Sequence, residues 1–581
     1  MIDITRLKRR RGLAALGGAL AIVVLVTLVV ASTGTSAGIS LLARSKHATM
    51  PNGKTLPHFS GGMEVAFNDE RAEAADTSSS GQSDNPPDAT ASALGCANRG
   101  SPTNVRVNQD CTLRRQAEEQ VAVNPRDPSN IIAGQNDSRI GFNHCGFDYS
   151  LDTGAHWGDG IPPYFQHLNP GTLHTYDAAS YPNVTFTGAG RAWYSCVVFD
   201  VASNASGLVA SPSTPQLKGS AYANIPSGAS KYVVAETNDG HTFYDKQFMA
   251  GDTRLGHEEA YITFTVFVAD QKCSTGNNPG AYCSSEIWYS KWDPAGAGHW
   301  TPIANVSGSS SLCVLGDFFD KKADPHACNF NQGSMPVVLP NGETYVVWNN
   351  GNTPIGAPNQ TLGRLIHLDG TMGPVTRVGT DDWTHQANCD LGRGPEECVD
   401  SLGVRTNDFP AIALDPTNAN HLVAVWQDSR QSPRNDGDYG VAVAESTNGG
   451  ASWTETSYLK GAAGEAYFEP SVAITQTGKI AVSFYKANAY GNSDAMGTYG
   501  YYLARRVSAA SWPTSLVSDS GTNPSPQGNL SQAGFLGDYT SIAASTAAGS
   551  SVVYPIWADT RNASTSQGPD EDIFLRSVTL P

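Results

Sequence analysis

The sequence predicts an all-β protein built as a β-propeller, a ring of four-stranded antiparallel sheets, and three observations predict it. Gly (59) and Pro (34) are plentiful while charged residues reach only 16%, which suits short strands joined by tight turns better than helices. A unit of short strand, turn, second strand ending in an aromatic, and third alternating strand recurs along the chain. One turn motif recurs with it, complete at 150–157 and degenerate at 236–243 and 446–453.

The chain opens with Lys8, Arg9, Arg10 and Arg11, followed by an uncharged, mostly apolar run over 13–31, which reads as an export signal. Its length favours an uncleaved anchor, while Ala31, Ser32 and Ala37 keep a cleaved signal peptide open. In either case the basic flank stays inside and the bulk lies outside the cytoplasm, so the membrane is touched by the N-terminal segment only. Residues 1–35 are thus the signal anchor or signal peptide, and 36–115 a flexible, disordered stalk rich in Ser, Gly and Asn. The propeller is expected over 116–581, a size that one such ring can reach.

Within it, first strands are expected at 121–123, 184–186, 337–339, 412–414, 472–474 and 542–544. Their second strands follow at 131–135, 193–198, 345–348, 422–426, 480–484 and 552–557. A compressed unit around 261–268 and 287–292 makes seven blades, with six as the alternative. The last unit stops at its third strand near 573–575, so a strand near 105–115 is expected to complete it and close the ring. A β-sandwich or solenoid is the competing all-β reading, and neither accounts for the recurring turn.

Lys and Arg total 37 against 54 Asp and Glu, a formal charge of −17 that repels nucleic acid and anionic lipid. The ten cysteines suit disulfides in an exported chain. Sequential pairing gives Cys96/Cys111, Cys145/Cys196, Cys273/Cys283, Cys313/Cys328 and Cys389/Cys398.

The complete motif is Ser150-Leu151-Asp152-Thr153-Gly154-Ala155-His156-Trp157, matching S-x-D-x-G-x-x-W. Ser150 and Asp152 are suited to bonding turn backbone, Gly154 to a positive φ, and Trp157 to plugging the gap beneath. Gly450 and Trp453 hold the corresponding places in Ser446-Thr447-Asn448-Gly449-Gly450-Ala451-Ser452-Trp453. The copy Glu236-Thr237-Asn238-Asp239-Gly240-His241-Thr242-Phe243 keeps the Gly and the aromatic. On these residues the chain resembles the Asp-box, or bacterial neuraminidase repeat, proteins of the sialidase superfamily, over roughly 116–581. The resemblance implies a propeller, and because the same box occurs in non-enzymatic propellers it implies no activity by itself.

Strand direction places the boxes on a lower face, whereas the starts of first strands and the connections after second strands share an upper face. Acids accumulate above, at Glu118, Glu119, Asp177, Glu258, Glu259, Asp408, Glu469 and Asp538. So does a repeated D-x-R at Asp137/Arg139, Asp428/Arg430 and Asp559/Arg561. Asp438 and Asp572 open the third strands after two of these arginines, which predicts that Arg430 and Arg561 tie loop to strand.

The family resemblance implies another role, an arginine triad of Arg139, Arg430 and Arg561 gripping a substrate carboxylate. It also implies a Tyr nucleophile activated by a Glu, with an Asp as acid/base, for which Tyr539, Glu469 and Asp408 are the candidates. Tyr181 and Tyr261 share the placement of Tyr539. The family's Phe-Arg-Ile-Pro is approached only by Ser138-Arg139-Ile140-Gly141, which follows a second strand. The expected function is therefore an exported propeller that recognises glycans or proteins through its upper face. The alternative is an exo-acting, sialidase-type glycoside hydrolase cleaving terminal acidic sugars.

No cofactor is required by this reading. The acidic loops Asp436-Gly437-Asp438 and Asp570-Glu571-Asp572 offer oxygen ligands for a structural calcium, without EF-hand spacing. No zinc motif is present.

Overall fold

Runs of β-branched and aromatic residues between Gly, Pro and Asn turns become strands, and those buried on both faces read as continuous apolar stretches. The computed structural model describes residues 48–49, 53–56, 103–110, 112, 114–140, 143–201, 205–225, 230–269, 282–390, 395–432, 438–488, 499–519, 534–561 and 571–581. They include seven antiparallel sheets of four or five strands.

The first sheet runs Gln116–Val123, Ile131–Asp137, His144–Ser150, Gly158–Gly160. The second runs Ala178–Phe186, Ala192–Phe199, Ser206–Pro212, Val233–Thr237. The third is Thr242–Gly251, Ala260–Ala269 and Tyr282–Asp293, edged by His299–Trp300 and Ala304–Asn305. The fourth is Asn331–Val338, Thr344–Asn350, Asn359–Ile366, Met372–Asp381. The fifth is Ala411–Leu414, Leu422–Asp428, Gly440–Ser446, Thr454–Leu459. The sixth is Glu465–Ile474, Ile480–Asn488, Tyr499–Arg505, Thr514–Leu516. In the last sheet Ser541–Ala544, Val552–Asp559 and Asp572–Leu575 are joined by Val105–Arg106 from the other end of the chain.

First strands of successive sheets touch one another in order, and the seventh touches the first, so the sheets close a propeller-like ring. Second strands carry the core. Trp193, Trp348, Trp426 and Trp557 sit on four of them, all fully buried between neighbouring sheets.

Three details depart from expectation. The inner strand of the third sheet is Thr242–Gly251, and residues 261–268 fall on the second strand. Its buried Asp245, Lys246 and Gln247 interrupt the apolar pattern that would have revealed it. Glu258 and Glu259 therefore lie in the connection below, and Tyr261 on a second strand, none of them at the upper start of an inner strand. The stretch assigned to the stalk also supplies structure. Val105–Arg106 completes the last sheet as expected, but the stretch also contributes Lys54, buried between Glu397 and Asp408, because two carboxylates there require a cation. Third, a three-stranded sheet, Ala387–Asp390, Pro395–Val399 and Val404–Arg405, is inserted between the fourth and fifth sheets.

Disulfides Cys145–Cys196, Cys313–Cys328 and Cys389–Cys398 pair as expected. Cys283 is also disulfide-bonded, while Cys96, Cys111 and Cys273 lie outside the described residues. The basic N-terminus and its apolar run lie outside them too. Among the described residues no helix is long and apolar enough to cross a membrane.

Candidate functional site

The inner strands meet at the centre of the ring, and five of them break register near their upper ends. The breaks follow Ala117, Ser180, Asp245, Gln332 and Phe468. In each bulge one residue has positive φ: Glu118 (57°), Tyr181 (61°), Lys246 (55°), Gly333 (61°) and Glu469 (49°). Only in the fourth sheet is that residue glycine, where a Cβ would stand 2.3 Å from the Phe409 ring. The other four hold a left-handed conformation costing about 1–3 kcal/mol each, which persists because the surroundings fix it. The bulges re-aim side chains, and here they gather polar groups in the interior.

At the centre Arg405, delivered by the inserted sheet, forms a bidentate pair with Asp538 (2.7 and 3.1 Å) and reaches Glu396 at 3.3 Å. Arg405 and Asp538 are both buried. Glu118, beside Asp538, is pushed up to about 8 by burial and by the neighbouring negative charge, against the pull of Arg405. Glu469 is also raised, by burial first and then by Glu119, Asp538 and Glu118. Neither of its carboxylate oxygens has a hydrogen-bond partner among the described residues. A second buried group pairs Lys54 with Asp408 and Glu397.

Next to the first group stands an aromatic plug. The rings of Tyr181, Phe248 and Tyr539 meet edge to face, with centroids 4.8 Å apart for Tyr181/Tyr539 and 4.9 Å for Phe248/Tyr539. The Tyr539 hydroxyl donates to the Pro182 carbonyl at 2.8 Å, and burial pushes its pKa well up. The three residues assigned to chemistry thus stand in separate surroundings: a backbone carbonyl bonded by Tyr539, charged neighbours that influence Glu469 without bonding its carboxylate, and an ammonium paired with Asp408.

Each D-x-R is an Asx turn closed by its own arginine. The arginine N–H donates to the aspartate at 2.9, 2.8 and 2.8 Å for Arg139, Arg430 and Arg561, and the guanidinium grips the same carboxylate at 2.6 Å. A second acid completes each arginine: Asp159 (2.6 Å) for Arg139, Glu455 (2.5 Å) for Arg430, and Asp519 (3.7 Å) for Arg561. These partners replace the expected Asp438 and Asp572, because Arg139 and Arg430 face the fourth strands of their own sheets, which carry Asp159 and Glu455, and Arg561 faces Asp519, which follows the last strand of the neighbouring sixth sheet; Asp572 instead pairs with Arg106 at 3.4 Å. Asp252 and Arg254 repeat the arrangement on the lower side. Removing Arg430 or Arg561 leaves a buried aspartate without its cation. Arg430→Ala and Arg561→Ala are expected to cost about 1–3 kcal/mol each in denaturant melts, and unchanged midpoints would contradict the pairing.

On the lower side, Ser150 Oγ accepts the Gly154 N–H (2.9 Å), Asp152 accepts the His156 N–H (2.9 Å), and Trp157 Nε1 donates to the Gly154 carbonyl (3.0 Å). Gly154 has φ +86°. Ser446, Asn448 and Gly450 repeat these bonds, and Trp453 donates to the Tyr345 hydroxyl at 2.9 Å. The 236–243 copy differs in place, since it leads from a fourth strand into the next inner strand. Of the acidic loops, Asp436 and Asp570 lie outside the described residues, and Glu571 faces Arg115 at 3.7 Å.

The chain matches no protein-family profile and no curated protein. Solved structures do align with it at low identity. A protein of unknown function from Dyadobacter fermentans DSM 18053 shares 11% identity, with 82% of this chain and 98% of that one covered and a TM-score of 0.41. The Hadza microbial sialidase shares 10% over 80% of this chain and 66% of its own, with a TM-score of 0.37. Trypanosoma rangeli sialidase in complex with the inhibitor DANA shares 10% over 80% and 55%, with a TM-score of 0.35. This chain therefore spans less than two thirds of either sialidase.

Proposed function

We infer that this is an exported, seven-bladed propeller of sialidase-like design, anchored or secreted through its N-terminus, that recognises glycans or proteins through its upper face. The internal pairing of all three D-x-R arginines carries this reading, because a guanidinium already shared by two carboxylates is not free to grip an acidic sugar. Long upper connections such as 161–177 and 306–330 support it, since binding residues favour loops held by a rigid scaffold. A charge of −17 favours neutral or basic ligands over acidic ones. The alternative, an exo-acting hydrolase, would use Tyr539 as nucleophile with Glu469 and Asp408, after rearrangement of the plug.

The test is equilibrium binding of the purified chain to a panel of neutral, basic and acidic glycans and of surface proteins. Saturable binding to one class is expected, weakened at least about 10-fold by Leu173→Asp with Ile355→Asp above and unchanged by Leu255→Asp below. Those three leucine and isoleucine side chains are exposed. Loss of binding on the Leu255 change alone would place the ligand on the wrong face for this reading.

A further inference from the structure

Two groups of His and carboxylate side chains lie close enough to share an ion: Asp252, His257 and Glu259, and His174, Asp177 and Asp200. The first is already filled by a cation. Arg254 Nε lies 2.9 and 3.0 Å from the two oxygens of Asp252. The second is built differently.

His174 stands in the 161–177 connection, which is tightly folded on itself. Asn169 accepts from the Gly171 and Thr172 N–H groups (2.8 and 3.0 Å), and its own N–H donates to the His174 carbonyl (2.9 Å). The imidazole Nδ1 lies 2.7 Å from the Thr175 carbonyl, an oxygen that only accepts, so Nδ1 carries the proton. In the neutral ring the lone pair is then on Nε2, and it points at Asp200 Oδ2, 3.2 Å away. A lone pair and a carboxylate repel unless a proton or a cation lies between them. A backbone bond on one nitrogen that turns the other towards carboxylates is also the arrangement of a metal-bound histidine.

We propose that His174, Asp177 and Asp200 form a divalent transition-metal site of the zinc or manganese class on the upper face, with coordination positions left open to solvent. One nitrogen and two carboxylate oxygens suit such ions better than calcium, which prefers oxygen throughout. Ligands around one zinc at about 2.0–2.2 Å sit roughly 3–3.5 Å apart, which the His174–Asp200 pair already satisfies. The three ligand atoms all lie within 4.8 Å of one another, so closing on an ion takes a small shift. Asp200 is fully buried at the end of a second strand, and Asp177 is held by the Val201 N–H at 2.9 Å, so the carboxylates are fixed while His174 is half-exposed. The open positions would accept hydroxyl or carboxylate oxygens of an incoming ligand. The site does not depend on the recognition reading above.

After EDTA treatment and dialysis, the full chain is titrated at pH 7.5 with zinc chloride and, separately, manganese chloride by calorimetry. One tight site per chain is expected for at least one of the ions, with a rise in melting temperature. His174→Ala and Asp177→Asn should each weaken it at least 10-fold, as removal of a ligand does, while His257→Ala leaves it within twofold. Both ligand changes are at accessible positions and should leave the fold intact. Absence of a one-to-one site, or affinity retained within twofold in His174→Ala, would leave only an imidazolium–carboxylate pair and overturn the proposal.

Discussion

Replacing Arg405 by methionine is expected to destabilise the protein by about 3–5 kcal/mol, because it removes one partner of a buried ion pair and leaves the other uncompensated. Asp538 would lose its bidentate partner, and Glu118 and Glu469 would lose a cation that favours their ionised forms. Methionine keeps much of the side-chain length, so the loss reports charge more than volume. Asp538→Asn in the same chain should recover part of it, giving a coupling energy of at least about 1 kcal/mol in a double-mutant cycle. Denaturant melts within about 0.5 kcal/mol of the parent for Arg405→Met would show that the centre is solvated rather than buried.

Buried acids set a pH dependence of definite sign. Glu118 and Glu571 are both pushed up to about 8 by burial, from an ordinary 4.5. A group whose folded pKa is raised binds its proton more tightly when folded, so its contribution is complete below about 4.5 and is lost as pH rises through about 8. Carboxylates held low, such as Asp415 and Glu445 beside His421, act in the opposite sense and lose their contribution only in acid. Stability should therefore peak near pH 5. The melting temperature should fall by roughly 3–6 °C between pH 5.5 and 8.5, and Glu118→Gln should flatten that slope. A melting temperature rising over the same interval would contradict the burial of these acids.

Second strands were the most legible part of the sequence, because strands such as Leu422–Asp428 are buried along their whole length and read as unbroken apolar runs ending in polar turns. The turn at 150–157 was legible for a similar reason, since its bonds are local. The inner strand Thr242–Gly251 was hidden by Asp245-Lys246-Gln247, polar residues that the bulge buries at the ring's centre. Lys54 and Arg405 leave no local signal because their partners are remote in sequence; Lys54 meets Asp408 across 354 positions. The D-x-R arginines stand out as a local repeat, but their second acids lie on or beside outer strands, out of reach of a local pattern. His174 and Asp177 stand three apart, yet Asp200 reaches them only because the second sheet ends its second strand beside their loop.

The upper-face arginines and Tyr539 are engaged by partners within the protein, which leaves them unavailable to an acidic sugar. Initial-rate release of fluorophore from a fluorogenic sialoside, compared between the parent chain and Tyr539→Phe, tests it most directly. No release above the buffer rate is expected from either protein. Turnover by the parent chain that disappears in Tyr539→Phe would contradict it.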